Sequence, residues 1–203
     1  MNAEFDVTGI ELETERLLLR PWAIRDVDDF YAYASDPDVG PMAGWKPHQS
    51  KEESLLILAK FVIEKKTFAI IDKRSGHAIG SIGVEFCDGE GQFEELLPYK
   101  GRELGYVLAK EYWGQGLMPE ALKSVIGYLF AVLDYDFLLC GYFDFNAQSK
   151  KVQEKVGFVP FCKTVFQSNV SGKENGVLSI LIHPSKVGQI KIPHPDKVID
   201  YSR

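Results

Sequence analysis

Apolar positions along the chain follow two rhythms, one of alternating residues and one of three- and four-residue steps. The run 15–20, ERLLLR, reads as a first strand that Pro21 ends. In the segment that follows, Ile24, Val27, Phe30, Tyr31 and Ala34 recur at helical spacing, and Asp36-Pro37 stops the pattern. After a loop rich in Gly and Pro, Ser50 and Glu53 form a capping-box signature. The helix they open runs to about residue 65, with Leu55, Leu58, Ala59 and Val62 as its apolar stripe. Two β-rich runs, 67–71 and 78–86, surround a turn at residues 73–76 and predict a hairpin. Residues 88–100 read as a loop and ELGYVLA at 103–109 as a strand. Ala121, Leu122, Val125, Ile126, Leu129 and Phe130 then mark a helix with a broad apolar face. FLLCGYF at 137–143 is a strand. Asn146 caps a helix to about Val156, with Gly157 just past its end. Strands near 159–166 and 177–182 follow, joined by the polar stretch SNVSGKENG, and a proline-containing tail from Pro184 wraps the surface or frays.

The predicted order, β-α-α-β-β-β-α-β-α-β-β, is that of an α/β domain with a twisted mixed sheet of about six or seven strands and helices on both faces. No repeat, low-complexity stretch or linker divides it, so residues 1–203 read as one domain with a core at about 12–183. At 203 residues one core is attainable.

Composition narrows the function classes. With 23 basic and 29 acidic side chains the net charge is −6, which gives no general affinity for nucleic-acid backbone. Cys87, Cys140 and Cys162 lie far apart and read as buried free thiols in a reducing compartment rather than a disulfide or zinc framework. The start MNAEFDVTG lacks a signal-peptide pattern, and no apolar run approaches membrane-span length, so the expected location is cytoplasmic. His48, His77, His183 and His194 share no metal-ligand spacing, and no metal is expected.

The stretch KEYWGQGLMPEAL at 110–122 carries the chemistry. Gly114 and Gly116 stand between a strand and a helix that begins around Leu117, and Pro119 suits the first helical turn. A helix N-terminus with unpaired N–H groups and glycines that admit close approach can hold a pyrophosphate. The same residues also suit an ordinary strand–helix turn. No Gly-Lys-Ser/Thr ends the loop and the third glycine of the dinucleotide fingerprint is missing.

Three separated blocks, ETERLLLRPW, ELGYVLAKEYWGQGLMPEAL and CGYFDFNAQSKKVQEKVGFVPF, together resemble the GCN5-related N-acetyltransferases (GNAT), and within them the RimJ/RimL-like ribosomal-protein branch. The resemblance implies the GNAT fold, acetyl-CoA as donor with CoA as product, and a loop that cradles the pyrophosphate. The family's loop pattern is Gln/Arg-x-x-Gly-x-Gly/Ala. Here Trp113 holds the Gln/Arg place, Gly114 and Gln115 follow, Gly116 is the central glycine, and Met118 replaces the final small residue. Both ends of the pattern therefore depart from it, and a bulky Met118 raises the question of room for the phosphates. By the same resemblance, backbone groups of Val107 and Leu108 pair with the pantetheine arm, and the Leu108 N–H faces the thioester oxygen. Glu103 is the implied base, directly or through water. Asn146 is a helix cap that in the family also contacts the cofactor, Ser149 is the implied proton donor to the leaving thiolate or else a solvent-facing helical serine, and Tyr142 is sheet packing with a spare donor role as its alternative. Phe30, Tyr31, Tyr33, Trp45 and His48 read as packing, with the acceptor groove as their alternative role.

The implied activity is direct transfer, without a covalent enzyme intermediate, to a primary amine. The acceptor would be a protein N-terminus or a small amine. Relatives are often homodimers. Two other readings remain at this point: a CoA or acyl-CoA sensor without useful catalysis, and an enzyme that uses the loop for a nucleotide phosphate.

Overall fold

A computed structural model describes residues 1–87, 93–192 and 198–201, the last four by backbone alone. Its contacts gather into two compact units. One comprises residues 5–84 and 106–125, the other residues 1–4, 85–105 and 126–203.

In the first unit, β1 (Leu12–Glu13), β2 (Leu17–Pro21), β3 (Thr67–Asp72) and β4 (Ala78–Glu85, to Val84) lie in that order as antiparallel neighbours. Pro21 is the last residue of β2, which ends there as expected. The helical pattern after it splits into a single 3-10 turn, Ile24–Asp26, and α1 (Val27–Ala34). The reason is Asp26, whose carboxylate takes the Ala23 N–H at 2.9 Å and both guanidinium nitrogens of Arg20 at 2.7 and 2.9 Å. α2 (Lys51–Glu64) begins where the capping pair predicts. Ser50 Oγ accepts from Glu53 N–H at 3.2 Å, and the Glu53 carboxylate reaches back to Gln49 N–H at 2.7 Å.

The core of this unit joins Trp22, Phe30, Tyr33, Leu58, Ala69 and Ile71, with Ile57, Phe61 and Trp113 partly buried against it. Its rings meet edge-on, Trp22–Phe30 at 5.4 Å and Phe30–Phe61 at 5.6 Å between centroids. The expected stripe of α2 is half right. Leu58 is buried, but Leu55 and Val62 face outward, because the aromatic cluster selects the Leu58–Phe61 side of a helix with apolar residues on two sides.

β5 (Gly101–Leu108) gives residues 101–105 to the second unit and 106–108 to the first, and α3 (Leu117–Ala131) likewise divides after Val125. In the second unit the order is β5, β6 (Phe137–Phe143), β8 (Gly172–Ile182), β7 (Val159–Ser168) and β9 (Val198–Tyr201). β5 pairs parallel to β6 through Gly101–Phe137, Arg102–Leu138 and Glu103–Leu139, while β6, β8 and β7 are antiparallel neighbours. α4 (Ala147–Lys155) ends at Gly157, whose φ of 96° suits glycine.

The stretch SNVSGKENG is mostly strand rather than loop. Ser168 Oγ accepts from Val170 and Ser171 N–H at 3.2 and 3.4 Å, so the turn closes within three residues and the polar side chains continue the ladder. The tail forms a 3-10 turn at Pro184–Lys186 and then β9, parallel to β7 over Lys163–Phe166. Nine strands thus stand among the described residues. The two beyond the expected seven are the two-residue β1 and the tail strand β9. Residues 88–92 of the expected loop lie outside the described residues, and residues 94–96 form a 3-10 turn.

Candidate active site

The glycine loop belongs to the first unit, between β5 and α3. Residues 110–112 make a 3-10 turn, and Lys110 Nζ is held by Asp38 Oδ2 at 2.5 Å. Gly114 and Gly116 have φ of 75° and 77°, the left-handed region in which a side chain is strained. No atom lies within 4 Å of where a Gly114 methyl would stand, and above Gly116 only Arg16 Nη2 approaches, at 3.8 Å. α3 opens directly after, with Glu120 N–H on Gly116 C=O at 3.2 Å. Pro119 has no N–H. Among the described residues no acceptor takes the N–H groups of Gly116, Leu117 or Met118. The loop therefore combines open space, free donors and the positive end of a 15-residue helix, the chemistry of an anion cradle.

The two departures from the family pattern have local explanations. Met118 is 5% exposed, so its side chain is turned into the protein and leaves backbone at the outer face of the loop. Trp113 is a brace: its indole Nε1–H donates to the Leu108 carbonyl at 2.7 Å. Ala109 N–H bonds Ile79 C=O on the β4 side at 2.8 Å, and strand alternation then turns the N–H and C=O of Leu108 to the opposite edge. Trp113 fixes the carbonyl on that edge beside the N–H implied as the oxyanion donor.

A second brace escaped sequence reasoning. Glu120, on the first turn of α3, accepts from Thr14 Oγ1 at 2.6 Å and from Arg16 N and Nε at 3.0 and 2.7 Å. Arg16 Nη1 goes on to the Gln115 carbonyl at 3.0 Å. Burial alone would raise the Glu120 pKa, but these donors hold it below the usual glutamate range. The strand-entry block ETER thus ties down the loop from 104 residues away, a pairing no local pattern reveals.

In the second unit, Glu103 sits on β5 opposite Leu139 and is 2% exposed, a buried carboxyl rather than a solvated one at a strand edge. Asn146 caps α4 as predicted, its Oδ1 accepting from Ser149 N–H at 2.9 Å. Ser149 is half-buried, and its Oγ lies 3.4 Å from Gln153 Nε2. Gln153 also donates to the Gly141 carbonyl at 3.0 Å, and its buried Oε1 has no hydrogen-bond partner among the described residues. Sequence reasoning passed over Gln153, whose position on an otherwise polar helix gives no signal. Burial pushes the Tyr142 phenol up, aided by the nearby Asp144 and Glu154 charges, which keeps it a proton donor.

Phe30 and Tyr33 are buried in the aromatic core, so they pack rather than line an open groove. His48 is buried with Nδ1 2.7 Å from Ser54 Oγ, and burial lowers its pKa. His77 meets Asp29 at 2.8 Å and His183 meets Ser185 at 2.7 Å, while His194 lies outside the described residues. Among the described residues no group of three or more His, Cys, Asp or Glu could hold a metal, and no helix is long and apolar enough to cross a membrane. The three cysteines are buried and no disulfide joins them.

Residues 16–159 match the family model for the acetyltransferase (GNAT) domain. The chain is 29% identical over 153 residues to the uncharacterized N-acetyltransferase p20 of Bacillus licheniformis, covering 72% of this chain and 81% of that protein. Among solved structures it shares its fold with a ribosomal-protein-S5-alanine acetyltransferase from Vibrio fischeri. The TM-score is 0.67 and the identity 22%, with 87% of this chain and 98% of that one covered. A spermidine N-acetyltransferase from Vibrio cholerae, in complex with CoA and spermine, gives a TM-score of 0.68 at 15% identity over 86% of this chain and 99% of that one.

Proposed function

Because the chain belongs to the GNAT acetyltransferase family, we propose that it transfers the acetyl group of acetyl-CoA directly to a primary amine, with a protein N-terminal α-amino group as the acceptor. Family membership makes it an acyltransferase rather than a bare CoA sensor. One observation carries the donor assignment: the glycine loop opens α3 with free N–H groups, and space stands open over Gly114 and Gly116. The backbone of Trp113, Gly114, Gln115, Gly116, Leu117 and Met118 would hold the pyrophosphate. Leu108 would present its backbone to the pantetheine arm, with Asn146 and Ser149 as further contacts, whereas the Val107 carbonyl lies beside Gly80 on the β4 side, so the expected Val107 contact is not available there.

The chemistry asks for an uncharged amine, since a protonated one has no lone pair. An α-amino group with a pKa of about 7.7–8.0 needs less help than a lysine at about 10.4. Glu103, directly or through water, takes the proton that the attacking nitrogen sheds. Leu108 N–H donates to the oxyanion that develops on the thioester carbonyl, and Trp113 steadies that segment of β5. Ser149, with Tyr142 as the spare donor, returns a proton to the departing thiolate. No cysteine lies in the loop or on α4, consistent with direct attack.

The acceptor class rests on the RimJ/RimL-like blocks and on the Vibrio fischeri neighbour, whose name specifies a ribosomal-protein alanine. A small polyamine is the second reading, favoured by the spermidine enzyme among the neighbours. Incubation with acetyl-CoA and a panel of N-terminal peptides, polyamines and amino sugars, read by mass spectrometry, separates them. A gain of one acetyl group on peptides alone is expected, and acetylation of polyamines alone would replace the acceptor. Thermal stabilisation by ATP or NAD but not by acetyl-CoA would overturn the donor.

A further inference from the structure

The glycine loop brings little positive charge of its own. Residues 110–118 contain one cation, Lys110, and its Nζ is held by Asp38 Oδ2. The helix end behind the loop offers about half an elementary charge, less than a pyrophosphate brings. A cation does reach the loop from elsewhere in the chain. Arg16 stands just before β2, and its guanidinium meets the loop at two places. Nη1 donates to the Gln115 carbonyl at 3.0 Å, and Nη2 lies 3.8 Å from where a Gly116 methyl would stand. An anion drawn into the open space over Gly116 therefore comes within reach of a hydrogen bond from Arg16.

The guanidinium fork is not used up by the protein. It has five N–H donors. Nε and Nη2 each give one to the Glu120 carboxylate, at 2.7 and 2.6 Å, and Nη1 gives one to Gln115. Nη1 and Nη2 each keep one N–H beyond these contacts, on a side chain that is 45% exposed. Glu120 is itself anchored by Thr14 Oγ1 and by Arg16 N–H, so it fixes the fork without closing it. A fork held in place has already lost the rotamer freedom that a loose arginine loses on binding, and its planar array suits phosphate oxygens.

We propose that Arg16 is a ligand of the acetyl-CoA pyrophosphate, its remaining Nη1 and Nη2 N–H groups donating to phosphate oxygens seated over Gly116 while Glu120 holds the guanidinium in place. The contact rests on acetyl-CoA as the donor proposed above. It adds a side-chain cation, carried from the entry to β2, to a cradle otherwise made of backbone. Arg16 thus does more than tie β2 to α3: part of its charge acts on the ligand.

Calorimetric titration of the full chain with acetyl-CoA, at about 50 and about 500 mM NaCl, separates the ligand from the strut. Between these conditions the screening length falls from about 14 Å to about 4 Å. Arg16→Gln should raise the Kd about tenfold or more at low salt, the loss of one charge-assisted hydrogen bond, and by less than about threefold at high salt. Arg16→Lys keeps the charge but not the fork and should lie between wild type and Arg16→Gln. Glu120→Gln breaks the same tie to α3 yet leaves the guanidinium charge at the loop, so its effect on Kd should be less than about a third of that of Arg16→Gln. An ion pair this exposed adds little to stability, so each variant should stay folded, which thermal unfolding checks. Three results overturn the role of Arg16 while leaving acetyl-CoA as donor: wild-type affinity in Arg16→Gln, an equal loss in Glu120→Gln, or a loss that salt does not change. A wild type that fails to bind acetyl-CoA overturns the donor and this contact together.

Discussion

Replacing Gly116 by alanine isolates what the loop does from what its conformation costs, because the fold supplies a matched control. Gly116 and Gly76 have the same φ of 77°, and a methyl at either meets open space except for Arg16 Nη2 at 3.8 Å from the former. Alanine in the left-handed region costs about 1–2 kcal/mol, and the stiffer unfolded chain returns roughly 0.4–1 kcal/mol of it. Each variant should lose about 1 kcal/mol, a fall in Tm of about 2–4 °C for a chain this long. The two differ in what the methyl covers. At residue 76 it stands over the β3–β4 turn. At residue 116 it takes up part of the open space at the start of α3, the space a phosphate bound to the free N–H groups would share. A phosphate held off those donors loses charge-assisted hydrogen bonds, each worth about 1.5–3 kcal/mol. Gly116→Ala should therefore raise the Kd for acetyl-CoA at least tenfold, about 1.4 kcal/mol or more, while Gly76→Ala leaves it unchanged. Calorimetric titration with acetyl-CoA, alongside thermal unfolding of each variant, reads both quantities. Unchanged affinity in Gly116→Ala, or equal weakening in both variants, would refute the cradle.

Glu103→Gln should lower kcat by about 10²–10⁴ with acetyl-CoA affinity within twofold. The pH–rate profile of the variant should then rise only with deprotonation of the amine, and an unchanged kcat would remove Glu103 from the mechanism. Asp26→Ala strands the half-buried Arg20 and should cost about 3–5 kcal/mol, a fall in Tm on the order of 10 °C, by thermal unfolding. Burial alone would raise the Asp26 pKa, but the Arg20 and Ala23 hydrogen bonds more than offset it and hold it below the usual carboxylate range. Its stabilisation is thus complete above the unfolded pKa of about 3.9 and is lost as pH falls through the lower folded value, so wild type and variant should converge in stability in strong acid. A stability gap that persists there would show that the loss is packing rather than charge.

Much of this architecture could be read from the residues because it is local. The capping pair Ser50–Glu53, the hairpin turn before Ala78, the cap at Asn146 and the stop at Gly157 are signals within four residues of what they specify. The seven main strands are short apolar runs between such signals. Other features needed the fold. The Arg16–Glu120 tie spans 104 residues, and the Trp113 indole finds Leu108 only because the intervening turn folds back. Polar residues 172–176 looked like loop because their partners across the ladder are equally polar. The α2 stripe is only half legible, Leu58 facing the core but Leu55 and Val62 facing outward, because both sides are apolar and only the aromatic cluster chooses between them. The burial of Glu103 and Met118 was likewise invisible, since sequence gives a residue's place on a strand or helix but not what covers it.

The tail strand has a consequence for how the molecule behaves in a crowded solution. β7 is ten residues long, and its inner side is already committed to β8. Without β9, its other side would offer a row of unpaired N–H and C=O groups to any extended chain nearby. Val198–Tyr201 takes up Lys163–Phe166 of that row. β9 is itself the edge of the sheet, but four residues long where β7 is ten, so it trades part of a long open edge for a short one, and removing it should lower solubility.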